Sequence, residues 1–459
     1  MQPVRLRLLL GFIAALITAS PRLSAQPFDE AAGFVPDEVL VQFDANASDA
    51  HLADALRRGG FTVKKHIPFA GKSREDSGLA VLKTPLPVAQ ALAALRNHPA
   101  IRYAEPNLIR RHQAASNDPN YVSGKLWGMY GDATTPANSY GSQAGEAWAA
   151  GNVGSADSYV AVLDQGIDIN HPDLAPNIGR NPGEIPGNRV DDDGNGYVDD
   201  VYGWDFVGND NTVYDNAKKD AHGTHVAGTI GAVGGNGVGV AGVCWSVRLL
   251  SGKFLGPNGG TIADEVEAIE YFIDLKQRHG LNIVAINASY GSMISSLTEQ
   301  IAVIRAAKAG ILVVAAAGNS GDWSANFPAY YNTTLSALNP DGSIAEAGAG
   351  YDAVISVAAI DSRGALTAWS TRHPTKVDLA APGAGVLSTL PGGKYGFMDG
   401  TSMATPHVTG ACALHLSAFP GAAPWEIKDA ILADAVPTLS LSGNTLTGAR
   451  LNVSNFRAP

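Results

Sequence analysis

Residues 159–174, YVAVLDQGIDINHPDL, begin with a short apolar run that ends on a carboxylate and breaks at Gly166. Such a run reads as a buried strand, and the ends of buried parallel strands are where ligands and chemistry collect. The same pattern returns in VRLLSGKFL, NIVAINAS, ILVVAAAGN and AVISVAAI, with helix-like stretches between. Buried strands alternating with helices predict an α/β fold with a mostly parallel central sheet covered on both faces, that is, three layers. Asp164, Asn287 and Asn319 all fall at predicted strand ends.

The rest of the chain sets this region apart. MQPVRLR followed by LLLGFIAALITA and a small residue at Ala25 reads as a secretory leader over residues 1–25, too short to span a bilayer. Within residues 26–115, residues 36–107 alternate strand-like and helix-like pieces (EVLVQF, HLADALRRGG, GLAVLKT, VAQALAALRNHP, IRYAEPN) and predict a small α+β unit. LIRRHQAASNDPN after it is polar and reads as an exposed linker. Residues 116–459 form the large unit and carry 18 Lys/Arg against 33 Asp/Glu. That acidic balance repels phosphate backbones, so nucleic acid is not an expected partner. No later stretch is apolar for long enough to anchor the chain in a membrane, and export with release is expected. Cys244 and Cys412 are too few for a disulfide scaffold. They either pair or stay as buried thiols, and the apolar neighbours Val408, Ala411 and Leu414 favour the second.

Three segments carry chemistry. Asp164 closes its strand, His222 opens HGTHVAGTIGA 58 residues later, and Ser402 stands in GTSMATPHVTGACAL another 180 residues on. Taken alone, Thr401-Ser402 followed by Pro406 is an ordinary helix start. An acid, a base and a hydroxyl in that chain order is also one of the orders known for a catalytic triad. The metal alternative for HGTH lacks the glutamate of HExxH. DDDGNGYVDD, residues 191–200, spaces Asp191, Asp193 and Asn195 before Gly196, with Asp199 next, as a calcium loop does; its twelfth position is Tyr202 instead of Glu. It reads as a calcium site or as a solvated acidic turn.

LDQGIDINHPDL, HGTHVAGTIGA and GTSMATPHVTGA together resemble the subtilisin-like serine proteases, the subtilases of peptidase family S8. The resemblance implies that Ser402 attacks the peptide carbonyl, His222 moves the proton and Asp164 holds the imidazole, with Asn319 and the Ser402 N–H as the oxyanion hole. It leaves His225 a structural role. It implies that substrate lies as an added strand between Ser289-Tyr290-Gly291 and Gly259-Gly260-Thr261, with Ala316-Ala317-Gly318 as a pocket wall, giving broad specificity with apolar preference. The family usually has Ser or Thr after the aspartate, where this chain has Gln165.

By the same resemblance Asp118, Asp173 and Asn236 form a further calcium site, and Asp378 a weaker one. The early unit resembles an inhibitor I9-like, ferredoxin-like propeptide that chaperones and silences the enzyme until cleavage near residues 111–116. A secreted, monomeric, autoprocessed endopeptidase acting on proteins or peptides is the implied whole. The opposing readings are an inactive relative that only binds peptides and a metallohydrolase. The purpose of residues 331–350 is open.

Overall fold

The computed structural model describes residues 34–44, 46–67, 79–108 and 115–457; the expected leader and residues 111–114 of the linker lie outside them. The chain divides into residues 1–110 and 111–459.

In the first unit the described residues run β1 (Phe34–Phe43), α1 (Asp49–Arg58), β2 (Thr62–Ile67), β3 (Leu79–Lys83), α2 (Val88–Leu95) and β4 (Ile101–Leu108). The antiparallel sheet has the order β2-β3-β1-β4, the split arrangement expected of a ferredoxin-like unit. Val39, Val41, Ala80 and Leu82 of the sheet meet Ala55 and Ala91 of the helices in one small core. Ser48 caps α1 by accepting the His51 N–H.

The second unit opens with two short helices, α3 (Pro119–Val122) and α4 (Ala144–Ala149). It continues through β5 (Gly154–Asp164), β6 (Gly203–Asp205), α5 (Ala221–Gly231), β7 (Ser246–Lys253), α6 (Ile262–His279), β8 (Ile283–Ala288), α7 (Leu297–Lys308) and β9 (Leu312–Ala316). After β10 (Ala337–Leu338), β11 (Ile344–Glu346), β12 (Val354–Ile360) and β13 (Leu379–Pro382) comes a hairpin of β14 (Val386–Leu390) and β15 (Lys394–Met398). The chain ends through α8 (Thr401–Ala418), α9 (Pro424–Ala433), β16 (Val436–Pro437) and β17 (Ala449–Arg450). Residues 331–350, whose purpose the sequence leaves open, contain the small antiparallel pair β10–β11.

Nine strands form the central sheet in the order β16-β17-β13-β12-β9-β8-β5-β7-β6, parallel except at β16–β17. The reason is legible in β5. Val160 and Val162 join α5 and α8 in one apolar layer, while Ala161 and Leu163 join α6 and α7 in the other. A strand buried on both faces needs an unbroken apolar run, and a parallel neighbour needs a helix to return the chain. The expected three-layer α/β fold is the one observed. Among the described residues, no helix is long and apolar enough to cross a membrane.

Candidate active site

Asp164 is the last residue of β5 and is 1% exposed. Its Oδ1 accepts the N–H of Gln165 at 2.7 Å, so the residue that departs from the family pattern still supplies a backbone donor. His222 stands in the first turn of α5, and its Nδ1 faces Asp164 Oδ1 and Oδ2 at 2.8 and 2.9 Å. The approach depends on Gly223. A Cβ there would meet the Gly166 carbonyl at 2.3 Å and Asp164 Cβ at 3.1 Å, so any larger residue would push α5 off the strand end. Burial pulls the His222 pKa down, but the Asp164 charge and hydrogen bond outweigh it and hold the pKa above the ordinary histidine value.

His225, one turn on, is fully buried and donates from Nε2 to the Val386 and Gly396 carbonyls. Burial lowers its pKa to about 4, which keeps it neutral and fits the structural role expected of it.

Ser402 is the second residue of α8. Its Oγ donates to the Ser289 carbonyl at 2.9 Å and not to His222. Helix α8 reaches α5 through Gly410, where a Cβ would lie 3.1 Å from the Ile230 carbonyl. Asn319 follows Gly318, whose φ of 107° is left-handed. The Asn319 Oδ1 accepts both the N–H of Thr401, 2.9 Å, and its Oγ1, 3.1 Å, which orients Nδ2 as a donor beside the Gly400–Ser402 turn. That nitrogen is 3.8 Å from where a Cβ on Gly400 would be.

The expected substrate segments lie at three places in the fold. Ser289-Tyr290-Gly291 follows β8, and Ala316-Ala317-Gly318 ends β9 beside it. Gly259 commits its N–H and carbonyl to Gly256 at 3.1 and 3.0 Å, and Thr261 Oγ1 caps α6 through the Asp264 N–H. Gly260 lies between them. The sequence reading missed Asn326. Its Nδ2 donates to the Ala316 carbonyl at 2.7 Å, and a Cβ on Gly291 would strike it at 2.2 Å, so this amide fills the space between the two segments. No spacing rule flags it, because its neighbours are the end of β9 and the segment after β8.

The acidic loop corrects the ligand set expected there. Glu184, Asp191 and Asp193 bring carboxylate oxygens within 4.8 Å of one another, whereas Asp199 turns away and accepts the N–H groups of Gly187, Asn188 and Arg189. Asn195 is held by Asp200 through its Nδ2, 3.0 Å. Glu184, seven residues ahead of Asp191, lies outside any calcium-loop template. Burial and the nearby Asp200 charge raise its pKa, the response of a carboxylate crowded with others. An all-oxygen group of this kind fits a hard cation such as Ca²⁺.

Asp118, Asp173 and Asn236 are brought together as expected: Asp118 accepts the N–H groups of Gly235, Asn236 and Gly237, and Asp173 accepts from Asn236 Nδ2 at 3.0 Å and Val240 N at 2.9 Å. Asp378 stands apart from both groups. It accepts the Ser356 N–H at 2.7 Å, and the Lys428 ammonium, which donates to Asp352 at 2.9 Å, lies 3.9 Å away. Cys244 and Cys412 are free and buried, and burial pushes the Cys244 thiol up to about 12.

A strand-end carboxylate paired with a histidine, and a serine at a helix start beside a fixed amide, are the kinds of group that a serine hydrolase on an α/β sheet uses. The chain belongs to the subtilase family, whose sequence model matches residues 155–454, and it is a serine-type endopeptidase. Residues 21–107 match the fervidolysin N-terminal prodomain, which bears out the expected propeptide. The chain is 33% identical over 427 residues to the thermophilic serine proteinase of Bacillus sp. strain AK1, covering 93% of this chain and 88% of that one. It is 33% identical over 385 residues to subtilisin E of Bacillus subtilis strain 168, covering 83% and 80%. A solved structure of a protease from Pseudoalteromonas arctica PAMC 21717 superposes with a TM-score of 0.55 at 29% identity, over 75% of this chain and 99% of that one.

Proposed function

We propose that this endopeptidase cuts peptide bonds through an acyl-enzyme, with Ser402 as nucleophile, His222 as general base and acid, and Asp164 as the orienting carboxylate. The observation that carries the reading is the Asp164–His222 pair: with Nδ1–H donated to the carboxylate, Nε2 is left as the basic nitrogen. The Ser402 hydroxyl turns from the Ser289 carbonyl to His222 Nε2, which takes its proton as Oγ bonds to the scissile carbonyl carbon. His222 then gives that proton to the leaving amine as the C–N bond breaks. Water repeats the sequence on the ester, losing its proton to His222, which returns it to Ser402. Asn319 Nδ2 and the Ser402 N–H donate to the oxyanion, and the position of Ser402 at the positive end of α8 supports the same charge.

The substrate runs as an added strand against Ser289-Tyr290-Gly291, with the Gly259-Gly260-Thr261 turn opposite, and backbone recognition of this kind gives broad specificity. Residues 1–25 are a signal peptide, 26–115 the propeptide that inhibits the enzyme, and 116–459 the catalytic unit; the product is secreted and acts as a monomer. Ca²⁺ held by Glu184, Asp191 and Asp193, and a second ion near Asp118, Asp173 and Asn236, stabilise the fold. The test is the intact mass over time of the chain without residues 1–25, as wild type and as Ser402→Ala. Loss of a domain-sized N-terminal piece by wild type alone is expected; equal cleavage of both forms would remove Ser402 from the role.

A further inference from the structure

Helix α8 contains a proline in its sixth position, Pro406. A proline inside a helix has no N–H for the carbonyl four residues back, and its ring crowds that carbonyl. The carbonyl so deprived is that of Ser402. In its place the Ser289 Oγ donates to Ser402 O at 2.9 Å, while Ser402 Oγ donates back to Ser289 O at 2.9 Å.

The direction of the Ser289 proton is fixed by a chain of buried groups. Thr409 Oγ1 has one proton and two acceptors, Asn287 Oδ1 at 2.8 Å and the Thr405 carbonyl at 3.2 Å; the shorter contact takes it, so the Asn287 amide presents Nδ2 to Ser289 Oγ, 2.9 Å away. Ser289 has one proton, and with its oxygen already accepting from Asn287 that proton goes forward to Ser402. Asn287 and Thr409 are fully buried and Ser289 is 2% exposed, so water offers no alternative donor. Thr409 lies two turns beyond Ser402 in α8, on the same side of the helix. The chain therefore leaves α8, passes through the end of β8 and returns to α8 at the serine.

We propose that Ser289, oriented by Asn287 and Thr409, is a positioning residue: it replaces the helical hydrogen bond that Pro406 removes and so fixes the peptide on which the nucleophile and its N–H are mounted. The proposal rests on the reading of Ser402 as nucleophile. It gives Ser289 a second task besides the substrate-facing one that its backbone was expected to perform.

The test is a rescue cycle on the processed enzyme, comparing wild type, Ser289→Ala, Pro406→Ala and the double variant. Each is assayed for kcat and KM on a short peptide anilide and for the rate at which a fluorophosphonate labels Ser402. Ser289→Ala is expected to lower kcat and labelling about tenfold or more, because a buried orphaned carbonyl costs on the order of the free energy that makes a decade in rate. KM should stay within about twofold, since ground-state binding is untouched. Pro406→Ala returns an N–H to the Ser402 carbonyl and should recover most of the loss in the double variant. A double variant no faster than Ser289→Ala, or a loss confined to KM, overturns the proposal. If Ser289→Ala does not fold, Thr409→Val with and without Pro406→Ala runs the same cycle and is decided by the same recovery. Failure of the parent reading is seen separately, as absence of label on Ser402 in the wild type.

Discussion

The Lys253 ammonium, at the end of β7 and only 2% exposed, lies 3.5 Å from Asp220, the residue that opens α5 two places before His222. The same ammonium meets Asp215 at 2.7 Å and Asp205 at 3.0 Å, and Lys253 is the register partner of Asp164 across the sheet. Burial lowers its pKa, but the surrounding carboxylates outweigh this and keep it charged. Lys253→Met leaves buried carboxylates without their cation and is expected to cost about 3–5 kcal/mol. Urea unfolding in the Ser402→Ala background, where self-digestion cannot interfere, measures it.

In the proposed role of base His222 must be neutral, and its pKa is held above the ordinary value by Asp164 against burial. Activity should therefore fall with acid, at a half-point on the alkaline side of about 6.5. Asp164→Asn removes the raising charge and should shift that limb to lower pH while kcat drops on the order of 10⁴, the scale of losing this carboxylate from a triad. The pH dependence of kcat/KM for both proteins is the measurement.

Asn319 keeps its Oδ1 on Thr401, which leaves Nδ2 for the proposed oxyanion contact. Asn319→Ala should lower kcat on the order of 10²–10³ with little change in KM, the cost of removing one such donor in subtilisin. Steady-state kinetics on a small ester decide it.

Two buried carboxyls face each other behind Tyr290. Glu265 of α6 accepts the Tyr290 hydroxyl at 2.9 Å, and Glu299 of α7 accepts the Tyr331 hydroxyl at 2.8 Å. Burial first, and then the Glu299 charge, raise Glu265 from 4.5 to about 9. The folded state therefore holds a proton that the unfolded chain releases, and stability declines as pH rises from about 4.5 through about 9. Glu265→Gln removes the share of this dependence that Glu265 carries, leaving that of Glu299, whose pKa burial also raises. The variant's Tm should exceed wild type by about 2 °C or more at pH 8, with the gap closing toward pH 4. Calorimetry across that range tests the sign.

Removal of calcium by a chelator should lower Tm in the Ser402→Ala protein, since an ion at about 100 times its Kd adds ~2.7 kcal/mol. Glu184→Gln should shrink the difference between calcium and chelator. Asp199→Asn, which only loosens the turn at residues 187–189, should lower Tm equally in both conditions.

What the sequence made legible is what repeats locally. The apolar run before Asp164 announces a strand buried on both faces, and the motifs around His222 and Ser402 are contiguous, so both fold and candidate triad could be read from it. What escaped depends on partners distant in sequence. A twelve-residue loop template pointed to Asp199, but the loop folds back to Glu184. Asp378 has the Lys428 ammonium, fifty residues later, as a neighbour at 3.9 Å that no local motif announces. Asn326 is an unremarkable loop amide until Gly291 and Ala316 close around it. The Ser289 backbone was expected to line the substrate, and its side chain turns instead to the Ser402 carbonyl of α8, which Pro406 leaves without a helical donor.

The placement of α8 late in the chain has a temporal consequence. A chain is made from its N-terminus at about 5–20 residues per second. Asp164 and His222 therefore leave the ribosome well before Ser402, and α8 packs against β5, β8, β9, β12 and β13, so its layer closes only when nearly everything else is present. In the roles proposed above, a chain still short of α8 has the base and its carboxylate but no nucleophile mounted beside them, so proteolytic power waits for this helix.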